Sequence, residues 1–170
     1  PMCGSGTLLV EAALIAADIA PGLKRTHFGF VKWRGHDPVT WSKLIEEAEE
    51  RKRIGLQTMP FIGGSDQDGR AIHAAKDNIA RADLDQYVQV KQQSLRDFHG
   101  FETEPAKGLV ATNPPYGERL GVSTQLQALY PDLGRTLKEY FSGWEAAVIT
   151  GEHELARSLG LRAHKKNKVY

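Results

Sequence analysis

The sequence predicts an α/β fold with a mainly parallel, doubly wound sheet, and three observations support this prediction. Short apolar segments alternate with helical segments along nearly the whole chain. A Gly-rich turn opens the first helix, and polar residues stand where three of the strands end. Because the carboxyl ends of parallel strands share one edge of a sheet, we expect the functional side chains at that edge.

Five helices are expected, and two of them have clear boundaries. The first, over residues 5–20, is apolar nearly all round, which indicates burial, and Pro21 stops it. Asp37 and Pro38 resemble an N-cap and a first-turn proline, and they open a charged helix to residue 53 that closes at Gly55. The other helices are expected over residues 69–82, 124–141 with an interruption near Pro131, and 152–158.

Five strands are expected from short apolar or alternating segments. Their ranges are 59–64, 87–93, 107–112, 146–150 and a basic segment at 161–170. Residues 21–36 form a connector rich in Gly and aromatic residues. For Trp33 and Trp41 we expect packing in the core or against another domain rather than base stacking. Trp41 shares one face of the following helix with Leu44, Ile45 and Ala48.

The composition restricts the class of protein. A chain of 170 residues is one domain, and its net charge of +1 argues against strong binding to a nucleic-acid backbone by this segment alone. The single cysteine excludes an internal disulfide and fits a cytoplasmic chain. The six histidines show no paired spacing for a metal, and no signal peptide or membrane span is visible.

The most informative motif is Asn113-Pro114-Pro115-Tyr116, directly after the strand at 107–112. The prolines fix φ and remove two N–H donors, so the loop is stiff and its carbonyls are free to accept. The Asn113 side-chain oxygen and the Pro114 carbonyl can both accept hydrogens from one NH₂ group, beside the flat face of Tyr116. This arrangement predicts a pocket for an exocyclic amine of a nucleobase. A simple turn would explain Asn-Pro but not the second proline and the aromatic residue.

The second motif is a Gly-rich turn that runs straight into the first helix, with the sequence Pro1-Met2-Cys3-Gly4-Ser5-Gly6-Thr7. Such a turn lets backbone approach a ligand closely and presents free N–H groups. A dinucleotide fingerprint would need glycine where Leu9 stands, and a P-loop would need a Gly-Lys-Ser/Thr ending that is absent. We expect Cys3 to pack rather than to act as a nucleophile, because no histidine is near it in the sequence.

Together the two motifs resemble those of S-adenosylmethionine-dependent amino methyltransferases, which have a Rossmann-like class I methyltransferase fold. A narrower resemblance, over nearly the whole chain, is to the bacterial 23S rRNA guanine-N2 methyltransferases that carry a THUMP RNA-binding domain. It rests on residues 113–120 (NPPYGERL), on residues 20–25 (APGLKR), and on Phe28-Gly29-Phe30, Trp33 and Trp41. In this family residues 21–57 are a characteristic connector and helix.

The resemblance implies S-adenosyl-L-methionine as cofactor, a guanine in 23S rRNA as substrate and a THUMP domain elsewhere in a longer chain. It implies catalysis by Asn113, Pro114, Pro115 and Tyr116. The implied cofactor-binding residues are Cys3, Gly4, Ser5, Gly6, Thr7, Asp66, Ser94 and Asn113.

Two of these assignments have open alternatives. Asp66 can accept both ribose hydroxyls of a nucleoside cofactor or cap the next helix, and Asp68 competes for either role. Related methyltransferases place an acid near Ser94 to hold the adenine amine, and here none stands there. Backbone of Ser94 or Leu95, the Asp97 side chain, or plain loop polarity remain as alternatives.

Other functions and the chain ends also stay open. Adenine-N6 methyl transfer in DNA or RNA uses the same chemistry, and a non-catalytic RNA-binding scaffold would keep the fold. In residues 117–120, Arg119 could bind an RNA phosphate or pair with Glu118. The family has a strand and an acid before Pro1 and a strand after Tyr170, so we expect a methyltransferase domain truncated at both ends.

Overall fold

The computed structural model describes residues 1–102, 105–116 and 124–168, and it confirms the predicted α/β class. Five helices and four strands follow one another along these residues. The helices are α1 (Thr7–Ala16), α2 (Pro38–Gly55), α3 (Gly69–Arg81), α4 (Thr124–Tyr140) and α5 (His153–Ser158). The strands are β1 (Ile62–Asp66), β2 (Val88–Gln92), β3 (Leu109–Thr112) and β4 (Glu145–Val148).

The strands form two parallel pairs that the N-terminal segment connects. β1 pairs with β2 from Ile62–Val88 to Asp66–Gln92, and β3 pairs with β4 from Leu109–Glu145 to Thr112–Val148. The Cys3 N–H donates to the Ser65 carbonyl over 2.9 Å, and Thr112 Oγ1 donates to the Pro1 carbonyl over 2.8 Å. Residues 1–3 therefore lie between the carboxyl ends of β1 and β3, and the predicted parallel arrangement is present.

Each strand pair carries its own hydrophobic core. The first core packs α1 and α3 on β2 and contains Ala13, Ile79, Leu84 and Val88, all at most 5 % exposed. The second packs α4 and α5 on β3. Its buried members are Leu95, Phe98, Val110, Tyr130, Leu133, Leu137, Phe141 and Leu159. The two cores hold the strand ends at which the predicted site residues stand.

The prediction that α1 is buried all round is wrong. Ala13 is its buried residue, whereas Ile15 is 78 % exposed and Leu8 is 38 % exposed. One side of the helix meets α3 and the first strand pair, and the side that carries Ile15 is exposed.

One predicted strand boundary and one predicted helix interruption also differ from the structure. The strand predicted at 59–64 is β1, which begins only at Ile62 because Pro60 has no N–H to give to a ladder. The predicted interruption of α4 near Pro131 is wrong, since the helix continues through it. Tyr130 and Leu133 beside the proline are fully buried, and this burial outweighs one lost backbone hydrogen bond.

The basic strand predicted at 161–170 is wrong for residues 161–168, which have no regular structure and are exposed. No strand among the described ranges lies beside them, and a strand without a ladder partner leaves its backbone groups to water. Residues 169–170 lie outside the described ranges.

Helix α2 begins as predicted. Asp37 accepts from the Val39 N–H over 3.0 Å and from the Thr40 hydroxyl over 2.6 Å. The far end of the helix is fixed by an ion pair of Arg51 with Asp18 at 2.7 Å. The predicted apolar face of α2 is only partly covered, because none of its residues is buried and Leu44 is 50 % exposed.

Trp41 on α2 packs against the connector, with its ring centroid 4.9 Å from that of Phe30. The expectation of core packing is wrong for Trp33, since that side chain is 72 % exposed. Trp33 is the extended residue that follows a short 3₁₀ turn at Gly29–Lys32.

The substitution Gly134→Ala should destabilise the protein, although alanine is the better helix former by about 1 kcal/mol. A Cβ at Gly134 would lie 1.9 Å from the backbone carbonyl oxygen of Leu159, so α4 and the residue after α5 must separate. Such overpacking costs roughly 1–3 kcal/mol. Urea denaturation of this variant and of Gly35→Ala, where a Cβ meets nothing within 4 Å, measures the difference. A Gly134→Ala protein as stable as the wild type would contradict this packing.

Candidate active site

The Gly-rich turn is a tight backbone loop against the end of β1. Gly4 and Gly6 have φ values of 54° and 79°, in the left-handed region that favours glycine. The Gly6 N–H donates to the Cys3 carbonyl over 2.9 Å and closes the turn. A Cβ on Gly6 would also lie 3.1 Å from that of Ala75 on α3. Gly4 is therefore required for its left-handed backbone, and Gly6 is required both for that conformation and because a side chain would crowd Ala75.

The turn presents the amino end of α1. Gly6 caps this helix without a side-chain hydrogen bond, so first-turn N–H groups are available to a ligand. The side chains of Ser5 and Thr7 are exposed, with their hydroxyl oxygens 3.5 Å apart. Asn78 on α3, which the sequence reasoning missed, fixes the turn by donating to the Ser5 carbonyl over 2.8 Å.

The Asp66 carboxylate joins the Gly-rich turn to the loop that follows β1. Its Oδ2 accepts from the Gly4 N–H and its Oδ1 from the Asp68 N–H, each over 2.9 Å. Each carboxylate oxygen keeps a second lone pair for a further donor. The side chain is half-buried at the end of its strand.

The cap of α3 is Asp68 and not Asp66. Asp68 Oδ1 accepts from the Arg70 N–H over 2.8 Å. The Arg70 backbone N–H, and then its guanidinium, hold the pKa of Asp68 below its usual range. Asp68 therefore fills the capping role that was the alternative for Asp66.

Ser94 uses its side chain within its own loop. Its hydroxyl donates to Asp97 Oδ2 over 2.6 Å, and Gln93 Nε2 donates to the Asp97 carbonyl. The Gln93 N–H donates to the Asp66 carbonyl over 2.9 Å, so this loop lies directly beside Asp66. Of the predicted alternatives, the exposed Asp97 carboxylate is the acid that the structure brings to this part of the edge.

The loop after β3 is held at both ends of the motif. Thr112, 1 % exposed, bonds to Pro1 as described above, and the Pro114 side chain is fully buried. Asn113 and Tyr116 are exposed, the latter by 41 %. The stiff loop therefore presents the amide and the aromatic ring outward, next to the Gly-rich turn.

Residues that the sequence reasoning missed support this loop from behind. The Tyr130 hydroxyl, on a fully buried side chain, lies 3.4 Å from the Pro115 carbonyl and 3.1 Å from Thr150 Oγ1. A Cβ at Gly151 would lie 3.1 Å from two atoms of the Tyr116 ring, so the ring rests on bare backbone there. Thr150 and Gly151 follow a strand end, the same signal that identified Asp66 and Asn113.

The Cys3 thiol stays protonated at neutral pH. Burial, followed by the nearby Asp66 carboxylate, raises the pKa of this thiol above its usual value. A thiol is a much weaker nucleophile than a thiolate. The structure thus agrees with a packing role for Cys3, whose backbone forms the turn.

Some predicted features fall outside the site or the described ranges. Glu118 and Arg119, with the rest of residues 117–120, lie outside the described ranges. Within those ranges, no cluster of three or more His, Cys, Asp or Glu side chains is placed to hold a metal ion. A search of the same residues finds no helix with the length and hydropathy needed to span a bilayer.

Comparison with known families places the whole chain in one group. The sequence profile described as UPF0020: RMKL-like, methyltransferase domain, matches residues 1–170. A protein named ribosomal RNA large subunit methyltransferase K/L from Syntrophotalea carbinolica is 49 % identical over 171 residues, covering 100 % of this chain and 24 % of its own length. The protein of the same name from Cellvibrio japonicus is 50 % identical over 174 residues, covering 100 % of this chain and 23 % of its own length. The chain thus spans about a quarter of these relatives.

Solved structures share the fold. The crystal structure of SMU.472, a methyltransferase candidate complexed with SAH, matches with a TM-score of 0.89 and 35 % identity. A protein from Listeria monocytogenes, named as a predicted N6-adenine-specific DNA methylase, matches with a TM-score of 0.85 and 36 % identity. Each match covers 100 % of this chain and 43 % of the other.

Alkylation of Cys3, the single cysteine of the chain, should be slow in the folded protein. Because the thiol pKa is raised, the reaction with iodoacetamide at pH 7–8 should be several-fold slower than in urea-unfolded protein. The alkylation rate of the folded protein should also begin to increase at a higher pH than that of the unfolded protein. Mass spectrometry of the alkylated protein measures both rates. Faster alkylation in the folded protein at pH 7 would restore the nucleophile hypothesis.

Proposed function

The chain belongs to the UPF0020 family of RMKL-like methyltransferase domains, and we propose that it transfers a methyl group from S-adenosyl-L-methionine to the exocyclic N2 amine of a guanine in 23S rRNA. The observation that supports this most is the meeting, at one edge, of the Gly-rich turn, Asp66 and the Asn113 loop. The curated relatives, named for ribosomal RNA, point to the same substrate class.

The residues at this edge fit a nucleoside cofactor. Asp66 has a free lone pair on each oxygen, in a half-buried position, and can accept the two ribose hydroxyls. The first turn of α1, which no side chain caps, follows directly after the Gly4 N–H that Asp66 binds. When bound there, S-adenosyl-L-methionine supplies an electrophilic methyl group on a sulfonium.

Asn113 and Pro114 act on the nitrogen that receives the methyl group. The lone pair of a guanine N2 amine is delocalised into the ring, which makes the amine a poor nucleophile. Asn113 Oδ1 and the Pro114 carbonyl accept its two hydrogens and favour a pyramidal nitrogen whose lone pair points away from the ring. No strong base is needed, because the nitrogen becomes acidic once it is alkylated. Acceleration comes from positioning and electrostatics.

Tyr116 receives the target base. One side of its ring rests on Gly151, and the side chain is 41 % exposed, so a planar base can stack on the open face. The base must be unpaired or flipped to reach this loop. Tyr130 keeps the loop in place through the contact of its hydroxyl with the Pro115 carbonyl.

The second candidate is adenine-N6 methylation, favoured by the name of the Listeria monocytogenes neighbour. The amine chemistry is the same, but the relatives named for ribosomal RNA are about 49 % identical to the chain and that neighbour is 36 % identical. A non-catalytic scaffold is disfavoured by the intact turn and loop. RNA affinity beyond that of this near-neutral segment would come from a THUMP domain in a longer cytoplasmic chain.

Asn113→Ala should abolish methyl transfer while cofactor affinity stays within a few-fold, because the amide acts mainly in the transition state. With tritiated cofactor, the full-length wild-type protein should label bulk rRNA and not DNA. Calorimetry and transfer on the same preparations separate binding from chemistry. Asn167→Ala, in the exposed segment after α5, is the matched control and should keep its activity. Retained turnover in Asn113→Ala would remove this residue from the mechanism.

Asp66→Ala should weaken S-adenosyl-L-methionine binding by an amount on the order of 1.5–3 kcal/mol, the contribution of charge-assisted hydrogen bonds. Asp68→Ala is the control, because its carboxylate binds the backbone and side chain of Arg70 at the start of α3. That variant should lose about 1 kcal/mol of folding stability and bind cofactor normally. Equal dissociation constants for Asp66→Ala and wild type, measured by calorimetry, would contradict the ribose contact.

Tyr116→Ala should reduce methyl transfer far more than Tyr116→Phe. Stacking needs the ring and not the hydroxyl, and base–aromatic stacking contributes ~1–3 kcal/mol. Steady-state kinetics on rRNA for both variants gives the comparison. Equal losses in the two variants would point instead to a role of the hydroxyl.

A further inference from the structure

A second surface with nucleic-acid chemistry lies on the connector and the first turn of α2. Its side chains are aromatic or imidazole rings, and together they form what we call the aromatic patch: Phe28, Phe30, Trp33, His36 and Trp41. Trp41 lies edge-on to Phe28 and Phe30, with centroids 5.1 and 4.9 Å apart, and the His36 ring is 5.8 Å from Phe30. These rings, except Phe28, line a surface cavity of about 420 Å³.

The patch is open to solvent at its rim. Trp33 and Leu44 both line the cavity and are 72 % and 50 % exposed. Contiguous apolar surface of this kind marks a binding site more often than isolated exposed side chains do. A tryptophan at the mouth of an open cavity can stack with a flat ring on its free face.

The surroundings of the patch are cationic, although the whole chain is nearly neutral. Residues 21–43 contain five lysines and arginines and one acid, Asp37. Asp37 lines the cavity, and its carboxylate accepts from the Val39 N–H and the Thr40 hydroxyl at the start of α2. Lys32, Arg34 and Lys43 are exposed, and none of the ion pairs found in the described ranges involves them.

We propose that the aromatic patch binds single-stranded RNA, with a nucleobase stacked on Trp33 at the cavity mouth and phosphates beside Lys32, Arg34 and Lys43. Flat aromatic faces next to cations are the combination that single-stranded nucleic acid requires. An apolar protein segment would fill the cavity but would cover the cations that flank Trp33 and Trp41 in the sequence without giving them partners, which is costly. Charge complementarity therefore favours RNA over a protein partner.

The patch is separate from the candidate active site. α1 runs ten residues from the Gly-rich turn to Ala16, about 15 Å, before the chain enters the connector. Lys24 of the connector binds Asp83, just after the far end of α3. The patch would thus hold a part of the RNA other than the target base, and it rests on the proposed function for RNA as the substrate.

Binding of a fluorescein-labelled, mixed-sequence 12-nucleotide RNA to the full-length protein tests this surface by anisotropy. Trp33→Ala should weaken binding by about 5- to 150-fold, the range for loss of one base stack, whereas Trp33→Phe should stay within about threefold of wild type. The double variant K32A/R34A should weaken binding and flatten its dependence on salt. Ile15→Ala, which removes a side chain 78 % exposed elsewhere, is the control and should bind normally.

Several results would overturn the proposal. One is that Trp33→Ala binds the RNA with wild-type affinity. Another is that K32A/R34A shows the same salt dependence of binding as the wild type, and this result tests the proposal even if Trp33→Ala does not fold. A third is a Trp33→Ala protein that binds RNA normally but melts several degrees lower, as expected if the patch packs against protein. Failure of this proposal can be told apart from failure of the proposed function, because Asn113→Ala should bind this RNA like the wild type and lose only methyl transfer.

Discussion

The site depends on three residues that lie between two separate pairs of strands. In the described ranges no strand of one pair is hydrogen-bonded to a strand of the other pair. Residues 1–3 bond to both pairs: the Cys3 N–H donates to the Ser65 carbonyl, and the Pro1 carbonyl accepts from the Thr112 hydroxyl. Because both contacts fall at strand carboxyl ends, the N-terminal segment is bonded to Asp66 on one side and to Thr112, the residue before Asn113, on the other. The position of the proposed cofactor site relative to the proposed methyl-acceptor loop follows from this constraint.

Stiff backbone, rather than reactive side chains, distinguishes this edge. The Gly-rich turn is closed by backbone bonds and by Asp66, and the Asn113 loop is restrained by two prolines with Tyr130 behind it. Burial and the Asp66 carboxylate raise the pKa of the thiol in the turn. Such an edge suits a reaction in which the enzyme holds two partners in line and accepts hydrogens from a weak nucleophile.

Local signals in the sequence predicted much of this arrangement. The Asp37 cap, α3, β2 and the Asn113 loop could be predicted because each depends on residues within a few positions. The supporting residues could not: Asn78 bonds to a carbonyl 73 positions away, and Gly151 meets Tyr116 across a strand pair. The exposure of Trp33 and the absence of a strand at 161–168 also depend on which elements come to lie beside them, and a pattern of residue types does not contain that information.

A crystal structure of the protein with S-adenosylhomocysteine would test the central claim most directly, namely that the Gly-rich turn, Asp66 and the Asn113 loop form one site. The account predicts ribose hydroxyls within hydrogen-bond distance of the Asp66 carboxylate, and a sulfur atom facing Asn113 beside the open face of Tyr116. A ligand bound in the aromatic cavity near Trp33, or bound at this edge with its ribose away from Asp66, would contradict it.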